Sequence, residues 1–414
     1  MQLLIKNIRQ LVTVKSNGRP FRRGSDMRDL GIVEHADVLI EDGLFRWIGA
    51  SGTLTGTLDE DADILDASEY VALPGFVDAH THLLFAGSRE KEFAMRVEGK
   101  SYQEIADAGG GIISTVTATR SASKKELKKI ASKRLDEMMK LGTTTVEIKS
   151  GYGLDADSEI KMLEAINELS EEHFMTIVPT FLGAHAIPNE YKSNPQAYVE
   201  TICERMLPYI AKRKLARFCD VFCETGYFTV EQSRQILQKA ESFGIQSKLH
   251  ADQFSQIGAS RLGAELKSVS VDHLEQIDEG AITALKQTDC VAVVLPGVSF
   301  FLHYGYPPAK KIIDADIPLA IASNFNPGSC MSFSMPMMMT IACTQMSLTP
   351  EEAITATTLN AAAALKMSDS VGSIEVGKQA DIVLYDVPHY RHIPYFFGSN
   401  QVAKIIKKGT LLEF

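Results

Sequence analysis

Residues 71–87 read VALPGFVDAHTHLLFAG. The Pro74-Gly75 turn signal sets off Phe76-Val77, a short apolar run of the kind that forms a buried strand. Side chains two apart on a strand share a face, so His80 and His82 project together from its end. Two neutral imidazoles aimed at one point make half of a divalent-metal site. Taken alone, a His-x-His is more often two polar residues in a loop. The rest of the chain reverses that reading, because further histidines fall at the ends of strand-like runs.

Downstream, apolar strands alternate with helical patterns. Candidate strands end near His80, Glu147, Leu182, Cys223, His250, His273, Leu295 and Ala322. The clearest helix is Ser123–Leu141, with Leu127, Ile130, Ala131, Leu135, Met138 and Met139 on one face and a Ser123/Glu126 capping box at its start. A second begins at Thr349-Pro350-Glu351-Glu352, where threonine caps and proline takes the first helical position. Eight strands alternating with helices predict an α/β fold, a parallel (β/α)8 barrel of the TIM type, in preference to an open doubly wound sheet. Active sites of such barrels lie at the C-terminal strand ends. His80 and His82 after strand 1, His250 after strand 5, His273 after strand 6 and Ser323-Asn324 after strand 8 therefore converge on one mouth.

Outside the barrel the chain reads as β-structure at both ends. Residues 1–14, 36–40 and 45–48 are short strand-like runs separated by turns, and 380–385 and 402–406 return to that style. The expected organisation is a small β-sandwich built from residues 1–73 plus 368–414 around a barrel spanning 74–367. The 414 residues, 45% hydrophobic and 23% charged, suit an ordinary globular protein of that size. A net charge of −10 argues against nonspecific nucleic-acid or anionic-membrane binding. The basic pairs Lys124-Lys125 and Lys128-Lys129 are expected on a solvated helix face. No signal peptide or membrane span is legible, and six cysteines without a Cys-x-x-Cys pair point to a reduced, cytoplasmic protein without disulfides. The triple glycine at 109–111 lacks the spacing of a nucleotide fingerprint and reads as an active-site loop or a tight turn.

With His-x-His after strand 1, histidines after strands 5 and 6 and a polar residue after strand 8, the chain resembles the amidohydrolase superfamily over nearly its whole length. The resemblance extends to the segments DAHTHLLFAGSREKEFAMR (78–96), AGGGIISTV (108–116), EIKSGYGL (147–154), FLGAHAIP (181–188), DVFCETGYF (220–228), KLHADQ (248–253) and NFNPGS (324–329). These are most similar to the ring-opening hydrolases of histidine degradation. The likeness implies metal-dependent hydrolysis of the cyclic amide of 4-imidazolone-5-propanoate to N-formimidoyl-L-glutamate. It also implies a homodimer. Strand 4 carries no lysine where binuclear members hold a carbamylated bridge, which implies one metal ion.

By the same resemblance, His80, His82 and His250 are the metal ligands, with Asn324 at the position of the family's aspartate. Neutral imidazoles suit Zn, with Fe the alternative. His273 is expected to orient the attacking water or polarise the carbonyl, with a fourth-ligand or a structural place as the alternatives. Gln253 stands where some relatives carry glutamate, so it can hydrogen-bond substrate but cannot act as a base. Arg89 is placed to pair with the propanoate carboxylate. Tyr152, His185, Asn326, Gly328 and Ser329 complete the substrate mouth, and Glu224 has no assigned role. Asparagine at 324 has no basic lone pair for proton transfer and is expected to impair turnover. A cytosine- or guanine-deaminase-like enzyme, or a non-catalytic binding protein, are the competing readings.

Overall fold

The computed structural model describes residues 2–100, 104 and 108–413. Its centre is a sheet of eight parallel strands: β6 (Phe76–Asp78), β7 (Thr143–Lys149), β8 (Thr176–Ala184), β9 (Phe218–Cys223), β10 (Gln246–Ala251), β11 (Ser270–His273), β12 (Val291–Val294) and β13 (Leu319–Ile321). They pair in sequence order. Because each strand is followed by a helix that returns along the outside, the sheet curls into the expected barrel.

The barrel closes just beyond the strand ends. Thr81 and Phe325 form a parallel bridge. The His82 amide donates to the Phe325 carbonyl at 3.0 Å, and the Asn324 amide donates to the His80 carbonyl at 3.0 Å. The segments that complete the barrel are thus the ones that carry His80, His82 and Asn324.

The helix predicted from Ser123 runs from Lys124 to Lys140, capped by the Ser123/Glu126 box, and buries Leu127, Ala131, Leu135, Met138 and Met139. Each of the leucine and methionine side chains contributes about 1.5–3 kcal/mol of burial. On the helix's basic face Lys125 and Lys129 are exposed as expected, whereas Lys124 and Lys128 reach a neighbouring helix. Lys124 lies 2.6 Å from Glu168, and Lys128 lies 2.9 Å from Glu168 and 2.6 Å from Glu172, so the charges bridge to the neighbouring helix Ala156–Glu172. Exposed pairs of this kind contribute little stability and mainly fix register. The Thr349 capping box is present on a helix spanning Pro350–Thr357.

The two chain ends build one connected eight-stranded sheet. Strand β1 (Gln2–Val12) pairs with β2 (Ile32–Glu41), β4 (Asp63–Asp66) and β5 (Val71–Pro74), and β2 pairs with β3 (Leu44–Ala50). The C-terminal strands β14 (Ile382–Tyr385), β15 (Val402–Lys407) and β16 (Thr410–Leu412) extend the sheet through the antiparallel β5–β14 ladder. Its own core includes Ile5, Ile8, Val38, Phe45, Ile382 and Ile406. Only Gly75 separates β5 from β6. A side chain there would meet Thr144 Oγ1 at 2.2 Å, so glycine lets the chain step from one sheet into the other. All six cysteines are unpaired, as expected. Among the described residues, no helix is long and apolar enough to cross a membrane.

Candidate metal and substrate site

His80, His82 and His250 each present one ring nitrogen, and these atoms lie within 4.8 Å of one another. All three residues are buried. Burial is the first reason their rings resist protonation, and it holds His80 and His82 well below the usual histidine value and His250 down to about 3. The Lys149 ammonium pushes in the same direction, against the pull of Asp220 at His82 and His250. Neutral imidazole is the form that binds metal.

Carboxylates behind the rings set which nitrogen carries the proton. His80 Nδ1 lies 2.6 Å from Asp272 Oδ2, and His250 Nδ1 lies 3.0 Å from Asp220 Oδ2. Nδ1–H therefore faces each carboxylate and Nε2 is left as the free lone pair, the arrangement that orients metal-binding histidines. His80 Nε2 has no hydrogen-bond partner, and the Nε2 atoms of His82 and His250 stand 3.3 Å apart. Buried nitrogens left without donors are what a cation would satisfy, and the donor set fits one.

Beneath the histidines lies a layer of buried charge that the sequence reading missed. Lys149 Nζ is 2.7 Å from Glu147, 2.8 Å from Asp220 and 3.9 Å from Asp272. Lys248 Nζ is 2.9 Å from Glu147 and donates to the Ala79 carbonyl at 3.0 Å. Burial works against each charge. For Asp220 it is outweighed by His250 and Lys149, which hold that carboxyl well below its usual value. For Lys149 it is outweighed by Asp220, Glu147 and Asp272, which hold the ammonium above the ordinary lysine range. Burial lifts Asp272 to about 6 against the pull of Lys248 and Lys149, so it is still ionised at neutral pH. The signal was present in the sequence. Lys248 and His250, like Glu147 and Lys149, are two apart on strands and share the inward face.

His273 ends β11 with φ +90°, its ring centre 5.6 Å from that of His80 and 5.2 Å from that of His250. Asn324 has φ +54°, and its Oδ1 is buried with no hydrogen-bond partner among the described residues. A cavity of about 240 Å³ opens over these groups and is lined by Arg89, Tyr152, His185, Gln253, Asn326, Gly328 and Ser329 as well. Of the residues expected at the mouth, His80 and Ser323 do not line this cavity: His80 lies buried with the triad and Ser323 is turned to Asp78. An apolar cavity of about 740 Å³ near Thr340, Cys343 and Tyr395 is larger but holds no comparable cluster.

The walls of the site are held by residues without an assigned role in the sequence. Buried Glu159 accepts backbone N–H bonds from Gly151, Gly153 and Leu154, which fixes the loop carrying Tyr152. His185 Nδ1 donates to the Gly151 carbonyl at 2.9 Å, and its ring stacks on His82 with centres 4.9 Å apart. Glu224 accepts from the Phe254 and Ser255 amides at 2.8 and 3.2 Å, so it anchors the loop that follows Gln253. Arg89 is already paired with Glu92, which also accepts from Arg96 at 3.0 Å and from the Gly111 amide at 2.8 Å. The triple glycine thus ends in a loop tied to the substrate wall, with Gly111 at φ +88°.

A parallel barrel carrying a buried histidine triad suited to a metal ion at its strand ends is the architecture of a hydrolase, and the chain belongs to the amidohydrolase family, whose model matches residues 71–412. Within that family it is 45% identical over 411 residues to the imidazolonepropionase of Alkaliphilus oremlandii (strain OhILAs), covering 99% of this chain and 97% of that one. It is also 45% identical over 416 residues to the imidazolonepropionase of Symbiobacterium thermophilum, covering 100% and 97%. Solved structures share the fold at low identity. An adenosine deaminase from Xanthomonas campestris with bound zinc superposes with a TM-score of 0.74 at 18% identity, covering 99% of this chain and 92% of that one. Escherichia coli guanine deaminase gives 0.75 at 14%, covering 100% and 99%.

Proposed function

We propose that this chain hydrolyses the ring amide of 4-imidazolone-5-propanoate to N-formimidoyl-L-glutamate, with His80, His82 and His250 holding one divalent ion and Asn324 beside it. The observation that carries this reading is a buried, neutral histidine triad, with carboxylates behind His80 and His250, beside a cavity that Arg89 lines. Full-length identity to imidazolonepropionases supports it. A bound cation would lower the pKa of water and polarise the ring carbonyl.

The chain's own groups do the rest. Arg89 takes the propanoate carboxylate, and Tyr152 and His185 hold the ring against the triad. His185 commits Nδ1–H to Gly151, so Nε2 is an acceptor toward the cavity. Asn326 accepts from the Gly328 and Ser329 amides, which shapes the loop after β13 around the ligand. His273 is the proton-transfer group for the departing nitrogen. Asn324 and Gln253 are amides and move no proton. Asn324 Oδ1 would offer a bound ion only a weak neutral ligand, and as an amide it accepts no proton at neutral pH, so turnover by the chain as it stands is expected to be slow.

The test follows loss of imidazolonepropanoate absorbance with zinc-loaded protein beside its Asn324→Asp version. Turnover by the aspartate form upholds the reading. Absence of turnover by both, with cytosine or guanine consumed instead, replaces it with a deaminase.

A further inference from the structure

Arg89, Glu92 and Arg96 are spaced three and four residues apart around the helix Glu90–Val97, so they share one face. That face forms a wall of the cavity. Glu92 lies between the two guanidinium groups. Arg89 donates to it through Nε at 2.8 Å and through Nη2, and Arg96 donates to it through Nη2 at 3.0 Å. Both arginines also meet at Gly328. A side chain there would lie 2.2 Å from Arg89 Nη1, and Arg96 Nη2 donates to the Gly328 carbonyl at 3.2 Å. Arg96 Nη1 is buried and has no hydrogen-bond partner among the described residues. A guanidinium nitrogen left unpaired in this way costs more than a neutral donor would, because it carries charge.

Among the described residues, the charged side chains of this wall are Arg89, Arg96 and Glu92, two cations against one carboxylate, and the neighbouring groups Asn326, Ser329 and Gly111 are neutral. Glu92 cannot satisfy Arg96 further, since its two oxygens already serve Arg89, Arg96 and the Gly111 amide.

We propose that Arg96 is a second anchor for the substrate carboxylate, acting with Arg89 across Gly328, and that Glu92 sets this wall to accept a single negative charge. The inference rests on the function proposed above and deepens it. A carboxylate has lone pairs for two guanidinium groups at once, and charge-assisted contacts of this kind discriminate strongly against a neutral isostere.

The experiment measures binding, so it does not depend on turnover. Imidazole-4-propanoate and its neutral amide, imidazole-4-propanamide, are titrated calorimetrically into the zinc-loaded protein and into Arg96→Met. The unmodified protein is expected to prefer the carboxylate by about tenfold or more. In Arg96→Met that preference falls to about twofold, while the amide binds within about twofold of its original affinity. A purely structural role, holding Gly328 in place, would weaken both ligands alike and leave their ratio unchanged. If the methionine variant does not fold, Arg96→Gln retains a donor for the Gly328 carbonyl and carries the same comparison. A ratio unchanged in the variant overturns the role of Arg96 alone. Failure of the unmodified protein to bind either ligand overturns the site reading itself, and Arg96 with it.

Discussion

Nδ1 of His80 lies 2.6 Å from Oδ2 of Asp272, and both side chains are fully buried. The carboxylate accepts a hydrogen bond from Nδ1–H, which leaves Nε2 as a lone pair aimed at the triad. Asp272→Asn keeps the shape but removes the charge that favours this tautomer. It also leaves Lys149 and Lys248 with one fewer counter-ion. Zinc affinity is expected to fall about 10–100-fold, read by competition with a chromogenic chelator. An unchanged affinity would show that His80 needs no carboxylate behind it.

Asn324→Asp restores a carboxylate at the left-handed position after β13. Since Asn324 Oδ1 is unpaired in its buried setting, a carboxylate fits there only when a cation or a proton accompanies it. Turnover is expected to rise about a hundredfold or more, with tighter zinc binding. The check is steady-state kinetics with metal content measured on the same samples. A gain in zinc without a gain in turnover would move proton transfer wholly to His273.

Glu159→Leu removes the acceptor for three backbone amides in the loop around Tyr152. Each amide left dry costs about 1–3 kcal/mol, so a loss of several kcal/mol in urea denaturation is expected. Where the variant still folds, KM should rise more than kcat falls, because Tyr152 lines the cavity wall proposed to hold the substrate ring and not the histidine triad. Wild-type stability would show that the loop finds other partners.

Acid sensitivity follows from the buried imidazoles. Burial, ahead of the opposing pull of Gly151 and Asp220, lowers His185 to about 4 from an unfolded value of about 6.5. The unfolded chain therefore binds more protons between those values. Stability from this group is complete above about pH 6.5 and is lost as pH falls toward about 4. Urea denaturation of metal-free protein at pH 7, 6 and 5 should give falling midpoints. His185→Gln should flatten that slope, and an equal slope in both would assign the acid loss elsewhere.

The sequence by itself determined the barrel, the strand ends that meet at its mouth and the residues that line it. Strand alternation, capping boxes and His-x-His spacing are consequences of local backbone geometry, and local geometry is written in adjacent residues. Tertiary structure alone decided how the site is held. Asp272 reaches His80 across 192 residues, and Lys149 reaches Asp220 across 71. Their charges are stable inside the barrel only because strands distant in sequence bring opposite charges within about 3–4 Å. Glu224 and Glu92 show the same limit. Neither has a role legible in the sequence, and each acquires its task from the loops packed against it. Which of two nearby carboxylates faces a histidine, a lysine or a backbone amide depends on the register of the closed sheet, and no single segment encodes that register.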